Sequence, residues 1–321
     1  MQGRLTSFVS AMCAIIALSG PAQAAEPTAL TIFAAGTLAV PLRQLDSQFE
    51  QQHAGTTVQP IFGGSVMMAK LITNLHQPAD LIAVADYNVI PKYLFAGAGT
   101  QAYATWYIGF ARNAVTFVYT DKSKYAGEIT PANWYQVLAR PGVQIGRSDP
   151  DTDPSGYQTV QMLDLAEKYY KAPGLAVKIL ANAPRTNMRD TETALISALQ
   201  LGQIDYLAIY RSDALQHHFR YLDLPAEIDL GDPRDANLYA NAVAHTKGGD
   251  LKGTPIVYAI TIPATAPHPE LAEAYLKLLL GPQGQAVFKQ NGFGTITPAY
   301  EVHSEAVPKS LQSLVTAWPG S

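Results

Sequence analysis

The sequence predicts an α/β fold made of two units, each a mainly parallel sheet flanked by helices. The chain has 321 residues, about twice the ~150 residues of a typical domain. Near its N-terminus, short apolar segments alternate with segments of helical periodicity, and the same alternation returns in the middle of the chain. Strands that alternate with helices in this way form parallel sheets with right-handed crossovers.

The composition is that of a folded protein without a nucleic-acid partner. Hydrophobic residues make up 48% of the chain and charged residues 15%, and the formal net charge is −4. An apolar content this high excludes a disordered chain. Nucleic-acid binding proteins carry a concentrated basic face, and no such cluster is present in this mildly acidic sequence.

Residues 1–24 have the pattern of a cleavable secretory signal. Arg4 is followed by an apolar run, which ends before Ala22-Gln23-Ala24, a small-x-small cleavage pattern. The run is shorter than the ~20 residues that a membrane-spanning helix needs. The only cysteine, Cys13, lies in this segment and lacks the context of a lipoprotein signal. We therefore expect an exported, periplasmic protein with no disulfide and no lipid anchor.

The first unit is predicted from its apolar periodicity as strand, helix, strand, helix, strand. The predicted strands are 30–35, 58–62 and 81–84, and the helices begin at Leu38 and Val66. The glycines at the strand ends and at Gly55 separate these elements.

The second unit and the C-terminal part follow the same pattern. Strands are predicted at 115–119, 143–145, 204–210 and 255–262, and helices at 155–170, 194–199, 269–280 and from Pro282 to Asn291. No low-complexity linker separates the units, which predicts that the chain crosses between them more than once.

Two similar junctions are the most informative local feature. Ala35-Gly36-Thr37 and Gly63-Gly64-Ser65 each stand where a parallel strand enters a helix. We expect the hydroxyls of Thr37 and Ser65 to lie at helix N-caps, next to free N–H groups and the positive end of the helix dipole. Two such junctions on neighbouring strands make an anion site, whereas either one alone is also explained by ordinary capping.

A second candidate is the loop that runs from Asp149 to Ser155. Its alternating aspartates resemble a calcium loop, but Pro154 and Val160 occupy the positions where such a loop needs Gly and Glu. We expect Asp153 or Ser155 to cap the following helix. The sequence has no G-x-S-x-G, G-x-G-x-x-G, Walker or H-E-x-x-H motif, so no enzyme class is indicated.

Several of these segments together resemble the periplasmic molybdate/tungstate-binding proteins of ABC importers, most of all their tungstate-type branch. The segments cover nearly the whole chain after the signal; they are IFAAGT from Ile32, FGGS from Phe62, GRSDPDTDPSGY from Gly146, GQIDYLAIYRS from Gly202, GTPIVYAITI from Gly253 and the LLLGPQGQAVF run from Leu278. The resemblance implies a type II, two-lobed solute-binding protein, with lobe 1 formed by 25–110 and 250–321 and lobe 2 by 111–249.

The resemblance also implies the site and its partners. The ligand is a tetrahedral oxyanion in the interlobe cleft, delivered to an ABC permease by a monomeric protein that is not an enzyme and needs no cofactor or free metal cation. Carried over by position, the ligand-binding residues are Gly36, Thr37, Gly64 and Ser65 from lobe 1 and Asp153, Ser155, Tyr210 and Tyr239 from lobe 2.

One position departs from the tungstate-type pattern. That branch has a glutamate in its D-Y-x-x-E-Y-R-S strand, where it joins an aspartate at the metal, and this chain has Ile209. We therefore expect recognition of a tetrahedral anion by hydrogen bonds, with Asp153 capping its helix or pairing with Arg147 or Arg211. Sulfate or another oxyanion, an exported hydrolase on the same scaffold, and a sensor that signals to a membrane receptor remain alternatives.

Overall fold

The computed structural model describes residues 27–95, 101–189 and 192–318. The predicted signal segment and Cys13 lie outside the described residues. Within these described ranges, fourteen strands form three sheets. In chain order they are β1 (Thr28–Ala35), β2 (Thr56–Gly63), β3 (Leu81–Val84), β4 (Tyr107–Arg112), β5 (Val115–Tyr119), β6 (Ile145–Ser148), β7 (Met188–Arg189), β8 (Tyr206–Tyr210), β9 (Arg220–Tyr221), β10 (Val243–Thr246), β11 (Gly249–Lys252), β12 (Val257–Thr261), β13 (Gly294–Val302) and β14 (Val315–Ala317).

Helices flank the two larger sheets, as the sequence pattern predicts. They are α1 (Ala39–Gln52), α2 (Ser65–Thr73), α3 (Val89–Tyr93), α4 (Trp134–Leu138), α5 (Pro154–Tyr169), α6 (Leu175–Ala181), α7 (Glu192–Gln200), α8 (Arg211–Gln216), α9 (Ala226–Asp229), α10 (Ala236–Tyr239), α11 (Pro269–Leu280) and α12 (Pro282–Gln290). Short 3-10 turns complete the structure, and one of them, Gly36–Leu38, joins β1 to α1. Among the described residues, no helix is both long and apolar enough to cross a bilayer.

The first sheet has seven strands in the order β14-β13-β4-β12-β3-β1-β2. Strand β1 lies parallel to both β2 and β3, and the register pairs Ala35 with Gly63 and Ala34 with Ala83. The carboxyl ends of these three strands therefore meet at one edge of the sheet, where a ligand site of an α/β fold forms.

The second sheet has five strands in the order β7-β6-β8-β5-β9. Strand β6 lies parallel to β7 and β8, whereas β5 pairs antiparallel with β8 and β9. The first sheet is mixed as well, because β12 runs antiparallel to β3 and β4, and β13 antiparallel to β4. The α/β class with two flanked sheets is confirmed, but the sheets are mixed rather than mainly parallel.

In the part of the chain that the structure describes, the backbone passes between the two larger sheets at two places. Strand β4 of the first sheet ends at Arg112 and β5 of the second begins at Val115; the return runs from β11 to β12. The β10–β11 hairpin packs on α5, where the Gln161 amide donates to the carbonyl of Leu251 at 2.9 Å. A boundary at 249/250 would divide this hairpin, so we propose that lobe 2 extends through Lys252.

The apolar periodicity of α1 places its buried face against the first sheet. Leu42, Leu45 and Phe49 are fully buried there, and the rings of Phe49 and Tyr275 of α11 pack edge-to-face with their centroids 5.2 Å apart. Burial of each such side chain contributes about 1.5–3 kcal/mol. This packing fixes the start of α1, and with it the turn that carries Gly36 and Thr37.

Candidate functional site

Two strand-to-helix junctions stand side by side at the edge of the first sheet. Because Ala35 pairs with Gly63 across β1 and β2, the turns that begin at Gly36 and Gly64 are neighbours. The sequence prediction of adjacent junctions is confirmed by this register.

The hydroxyls at the junctions do not cap the helices, and this part of the prediction was wrong. The N-cap residues are Ala35 and Gly64, and neither helix start receives a side-chain cap. Thr37 lies within the 3-10 turn and Ser65 is the first residue of α2. The helix starts are therefore not occupied by side-chain acceptors from their own caps.

Both hydroxyls are buried and held by other strands. The Thr37 hydroxyl lies 3.0 Å from the Tyr258 hydroxyl of β12, and the backbone N–H of Ala85 donates to Ser65 Oγ at 2.9 Å. Each hydroxyl is therefore held in place by a residue that is distant in the sequence.

Lobe 2 presents the start of α5 and the end of β8. Asp153 caps α5, as one of the two predicted alternatives, and its Oδ1 accepts from the Ser155 N–H at 2.8 Å. A Cβ at Gly156 would lie 2.6 Å from the Pro150 nitrogen, so glycine lets α5 press against the loop. Tyr210 ends β8, and its hydroxyl donates to Gln158 Oε1 at 2.6 Å.

The two lobes touch at Gly64. A Cβ added there would lie 2.5 Å from the carbonyl oxygen of Thr152 and 3.3 Å from Asp153 Cβ. Any side chain would hold the lobes apart, so the glycine allows lobe 1 backbone to approach the loop before α5. Gly36, Thr37, Gly64, Ser65, Asp153, Ser155 and Tyr210 are thus carried by elements that meet at one cleft.

The predicted residue Tyr239 is engaged elsewhere. Its hydroxyl donates to the carbonyl of Ala226 at 2.6 Å and accepts from the Asp232 N–H at 3.1 Å. Both contacts lie within the α9–α10 segment of lobe 2. Since its hydroxyl proton is already donated, we leave Tyr239 out of the site.

Further polar residues that the sequence did not single out are hydrogen-bonded around the cleft. Tyr157 of α5 donates to Asp86 Oδ2 at 2.6 Å, across the lobes. Asn113, in the crossing after β4, donates to Ser212 Oγ at 2.7 Å and to the Tyr258 hydroxyl at 3.2 Å. The signal for Asp86 was available, because it follows β3 as Gly36 follows β1.

Burial sets the protonation of the cleft. Burial raises the pKa of Asp86, although the hydrogen bonds from Tyr157 and Asn88 lower it. Burial likewise raises the pKa of Asp153, although the hydrogen bonds from Ser155 lower it. Burial also raises the pKa of Tyr157 and Tyr210 well above 10. Both hydroxyls therefore keep their protons at any physiological pH and act as donors.

Gln158 carries a donor without a partner. Its Oε1 accepts from Tyr210, but its buried Nε2 has no hydrogen-bond partner among the described residues. A buried amide left unpaired costs about 1–3 kcal/mol, and an acceptor at this place would remove that cost.

Of the cavities that the described residues line, two bear on the site. The smaller, of about 280 Å³, lies between the two lobes and is lined by Gly36, Ala39, Val40, Thr193, Ile196, Ser197, Gln200, Gln216 and His217. The larger, of about 430 Å³, lies at the crossing segment by Arg112 and Asn113 and includes none of the eight predicted residues. The smaller cavity, which reaches Gly36, is the one that adjoins the cleft.

The side chain at position 209 does not offer a ligand. Ile209 is buried in an apolar cluster with Leu195 and Ile196 of α7. Arg211 lies 3.7 Å from Asp223, and Arg147 Nε donates to the Ala183 carbonyl, so these contacts leave Asp153 as a helix cap. The described residues contain no cluster of three or more His, Cys, Asp or Glu that could hold a metal ion.

Two α/β lobes, crossed twice by the chain and meeting at a polar cleft, define a two-lobed binding protein. Residues 30–294 match the profile of the bacterial extracellular solute-binding proteins, and the chain belongs to that family. An uncharacterized solute-binding protein of Petrotoga mobilis is 41% identical over 292 residues, covering 89% of each chain.

Two further matches bear on ligand and fold. The molybdate/tungstate-binding protein WtpA of Pyrococcus abyssi is 35% identical over 325 residues, covering 92% of each chain. The periplasmic molybdate-binding protein of Azotobacter vinelandii superposes with a TM-score of 0.60 at 20% identity, covering 83% of this chain and 99% of that one. This structural likeness confirms the type II two-lobed fold.

Proposed function

We propose that this protein captures molybdate or tungstate in the interlobe cleft and delivers it to an ABC importer. The observation that carries the proposal is that the uncapped start of α2 at Gly64 meets the loop before α5, while the uncapped turn after β1 lies beside it in the sheet register. The name of the Pyrococcus abyssi relative supports this choice of oxyanion.

The polar groups at the cleft are of the type that binds a dianion. A buried dianion is best held by neutral donors, since N–H and O–H groups stabilise it without a second buried charge. The hydroxyls of Thr37 and Ser65 on lobe 1 and the Gln158 amide on lobe 2 are such donors. The Tyr210 hydroxyl donates to Gln158 Oε1 and so orients that amide. Gln158 Nε2 would gain in the oxyanion the acceptor that the protein does not give it.

Asp153 is the group that a dianion would repel. Its Oδ1 already accepts a hydrogen bond from the Ser155 N–H. Burial raises its pKa, which lowers the free energy needed to protonate the carboxyl group. With Ile209 in an apolar cluster, the second carboxylate of a six-coordinate metal site is missing. The proposed ligand is therefore bound as a tetrahedral anion through hydrogen bonds.

The proposal extends to the route of the protein. We propose that residues 1–24 direct export and are removed, and that the mature protein acts as a monomer in the periplasm. Family membership supports a place outside the cytoplasmic membrane. As for solute-binding proteins in general, the work is binding and hand-over rather than catalysis.

A thermal-shift panel of molybdate, tungstate, sulfate and phosphate tests the ligand. A ligand at 100 times its Kd adds ~2.7 kcal/mol of stability, so molybdate and tungstate should raise Tm by several degrees. Stabilisation by sulfate or phosphate alone would replace the proposed ligand, and stabilisation by none of the four would refute oxyanion binding.

The double variant Thr37→Ala with Ser65→Ala tests the site. Each hydrogen bond to a charged group contributes ~1.5–3 kcal/mol, so affinity measured by calorimetry should fall at least tenfold. The matched control is Ser47→Ala with Thr73→Ala, which removes hydroxyls from α1 and α2 away from the strand ends. Unchanged affinity in the first variant would exclude this site.

A further inference from the structure

The hydrogen bond between Asp86 and Tyr157 joins the two lobes next to the site. Tyr157 lies in the first turn of α5, two residues after Ser155, and Asp86 follows β3 of the first sheet. The Tyr157 hydroxyl donates to Asp86 Oδ2 at 2.6 Å, and the side chains are 4% and 5% exposed. A contact this short and dry forms only when the lobes have met.

Lobe 1 holds its half of the contact in place. Asp86 Oδ1 accepts from the Asn88 backbone N–H at 2.9 Å and from Asn88 Nδ2 at 3.0 Å. The Asn88 amide also donates to Thr254 Oγ1 at 3.2 Å, on the return crossing. The carboxylate is thus oriented within lobe 1, and its Oδ2 is left for a donor from lobe 2.

We propose that Asp86 and Tyr157 are positioning residues that form the interlobe clasp of the ligand-bound state and set the rate at which the oxyanion is released. Neither residue has to touch the ligand. Release requires the lobes to part, and parting breaks a hydrogen bond to a carboxylate that is only 5% exposed. Association precedes the formation of the clasp, because the ligand enters while the lobes are apart.

The clasp needs a carboxylate rather than any polar group. Three donors converge on Asp86: the Tyr157 hydroxyl and the two N–H groups of Asn88. An asparagine at this position has one acceptor oxygen, and its NH₂ would face donors. Asp86→Asn therefore loses either the bond to Tyr157 or the bonds that orient the side chain.

Release of molybdate and tungstate from Tyr157→Phe, followed by stopped-flow fluorescence, tests the clasp. This inference rests on the proposed function. Removal of the hydroxyl should speed release roughly 10- to 100-fold, as for the loss of a charge-assisted hydrogen bond, with association changed less than about twofold. The Tm of the ligand-free variant should match that of the wild type, whereas its ligand-induced increase should shrink.

The controls separate the clasp from other roles. Tyr169→Phe, on the same helix with a side chain 46% exposed, should leave release unchanged. Asp86→Asn should speed release as Tyr157→Phe does, and the double variant should show little further effect. If the wild type binds an oxyanion but release from Tyr157→Phe is unchanged, the clasp alone is overturned. Additive effects in the double variant would overturn the clasp as well. Failure of the wild type to bind would overturn the proposed function and the clasp that rests on it.

Discussion

Position 209 shows how far one side chain can alter the ligand chemistry of the site. Ile209 lies directly before Tyr210 on β8, and its side chain packs with α7. The tungstate-type pattern has a carboxylate here, which would offer oxygen to a metal. An apolar side chain removes that option. Asp153, which lobe 2 contributes to the proposed site, already accepts a hydrogen bond as the cap of its helix.

Ile209→Glu should shift the preference of the site toward tungstate. We expect the ratio of the sulfate Kd to the tungstate Kd to rise about tenfold, ~1.4 kcal/mol, because tungsten can accept a carboxylate oxygen as a further ligand and the sulfur of sulfate cannot. Calorimetry with both anions measures the ratio, and Ile209→Gln supplies an uncharged control of similar length. An unaltered ratio would show that this position does not govern the choice of anion.

Helices α1 and α11 are joined by a buried carboxyl group. The Tyr275 hydroxyl donates to Asp46 Oδ1 at 2.7 Å, while Asp46 Oδ2 has no hydrogen-bond partner among the described residues. Burial raises the pKa of Asp46 from 3.8 to about 6, although the bond from Tyr275 lowers it. This carboxylate therefore costs stability when it is ionised.

Asp46→Asn should stabilise the protein at neutral pH. Between pH 3.8 and about 6 the folded state binds more protons than the unfolded state, so wild-type stability falls as pH rises through this window. A shift of that size corresponds to at most about 3 kcal/mol. We expect Asp46→Asn to gain about 1–3 kcal/mol at pH 7.5 and little at pH 4, measured by urea unfolding.

The exposed carboxylate Asp121 provides the matched control, since its side chain is 88% exposed. Asp121→Asn should change the free energy of unfolding by less than about 0.5 kcal/mol at either pH. A gain from Asp46→Asn that is equal at pH 4 and pH 7.5 would contradict the role of the buried charge.

At the element scale, the sequence predicts which segments form strands and helices better than how they pair. The bounds of β3, β5 and α11 agree with the apolar periodicity. The direction of β12 and β13 does not follow from their composition, because a buried strand has the same apolar run in either direction. The two lobe 1 junctions were predictable, in contrast, because βαβ connections bring the carboxyl ends of parallel strands to one edge of the sheet.

Contacts between distant segments account for what the sequence could not predict. Thr37 is hydrogen-bonded to Tyr258 and Asp86 to Tyr157, and neither hydrogen bond can be predicted from the residues adjacent in the sequence. Tyr239 matches the family pattern by position, yet its hydroxyl is held by Ala226 and Asp232. A position alone predicts a residue type at a site, whereas only tertiary packing decides where its polar atoms point.

At the scale of the whole molecule, Asn113 ties the crossing to both lobes. It donates to Ser212 Oγ in lobe 2 and to the Tyr258 hydroxyl in lobe 1, and its Oδ1 accepts from the Ser212 N–H at 3.2 Å. Since Tyr258 also contacts Thr37, one buried amide links the hinge to the ligand cleft.

Asn113→Ala should weaken both folding and ligand binding. Buried partners left unpaired cost about 1–3 kcal/mol each, so we expect a stability loss of about 2 kcal/mol. Affinity for molybdate should fall several-fold, because Tyr258 no longer holds Thr37 in place. Urea unfolding and calorimetry measure the two effects, with the exposed Asn237→Ala as control. Lower stability with unchanged affinity would limit Asn113 to the fold.

The position of β12 has a consequence for how the chain matures. This strand lies between β3 and β4 in the first sheet, although it follows both by more than a hundred residues of sequence. Lobe 2 is continuous and has its partners early, whereas lobe 1 must keep a gap at its centre until Val257–Thr261 has been synthesised. The first sheet is therefore completed only late in synthesis, which would keep lobe 1 unfolded for the export that we propose.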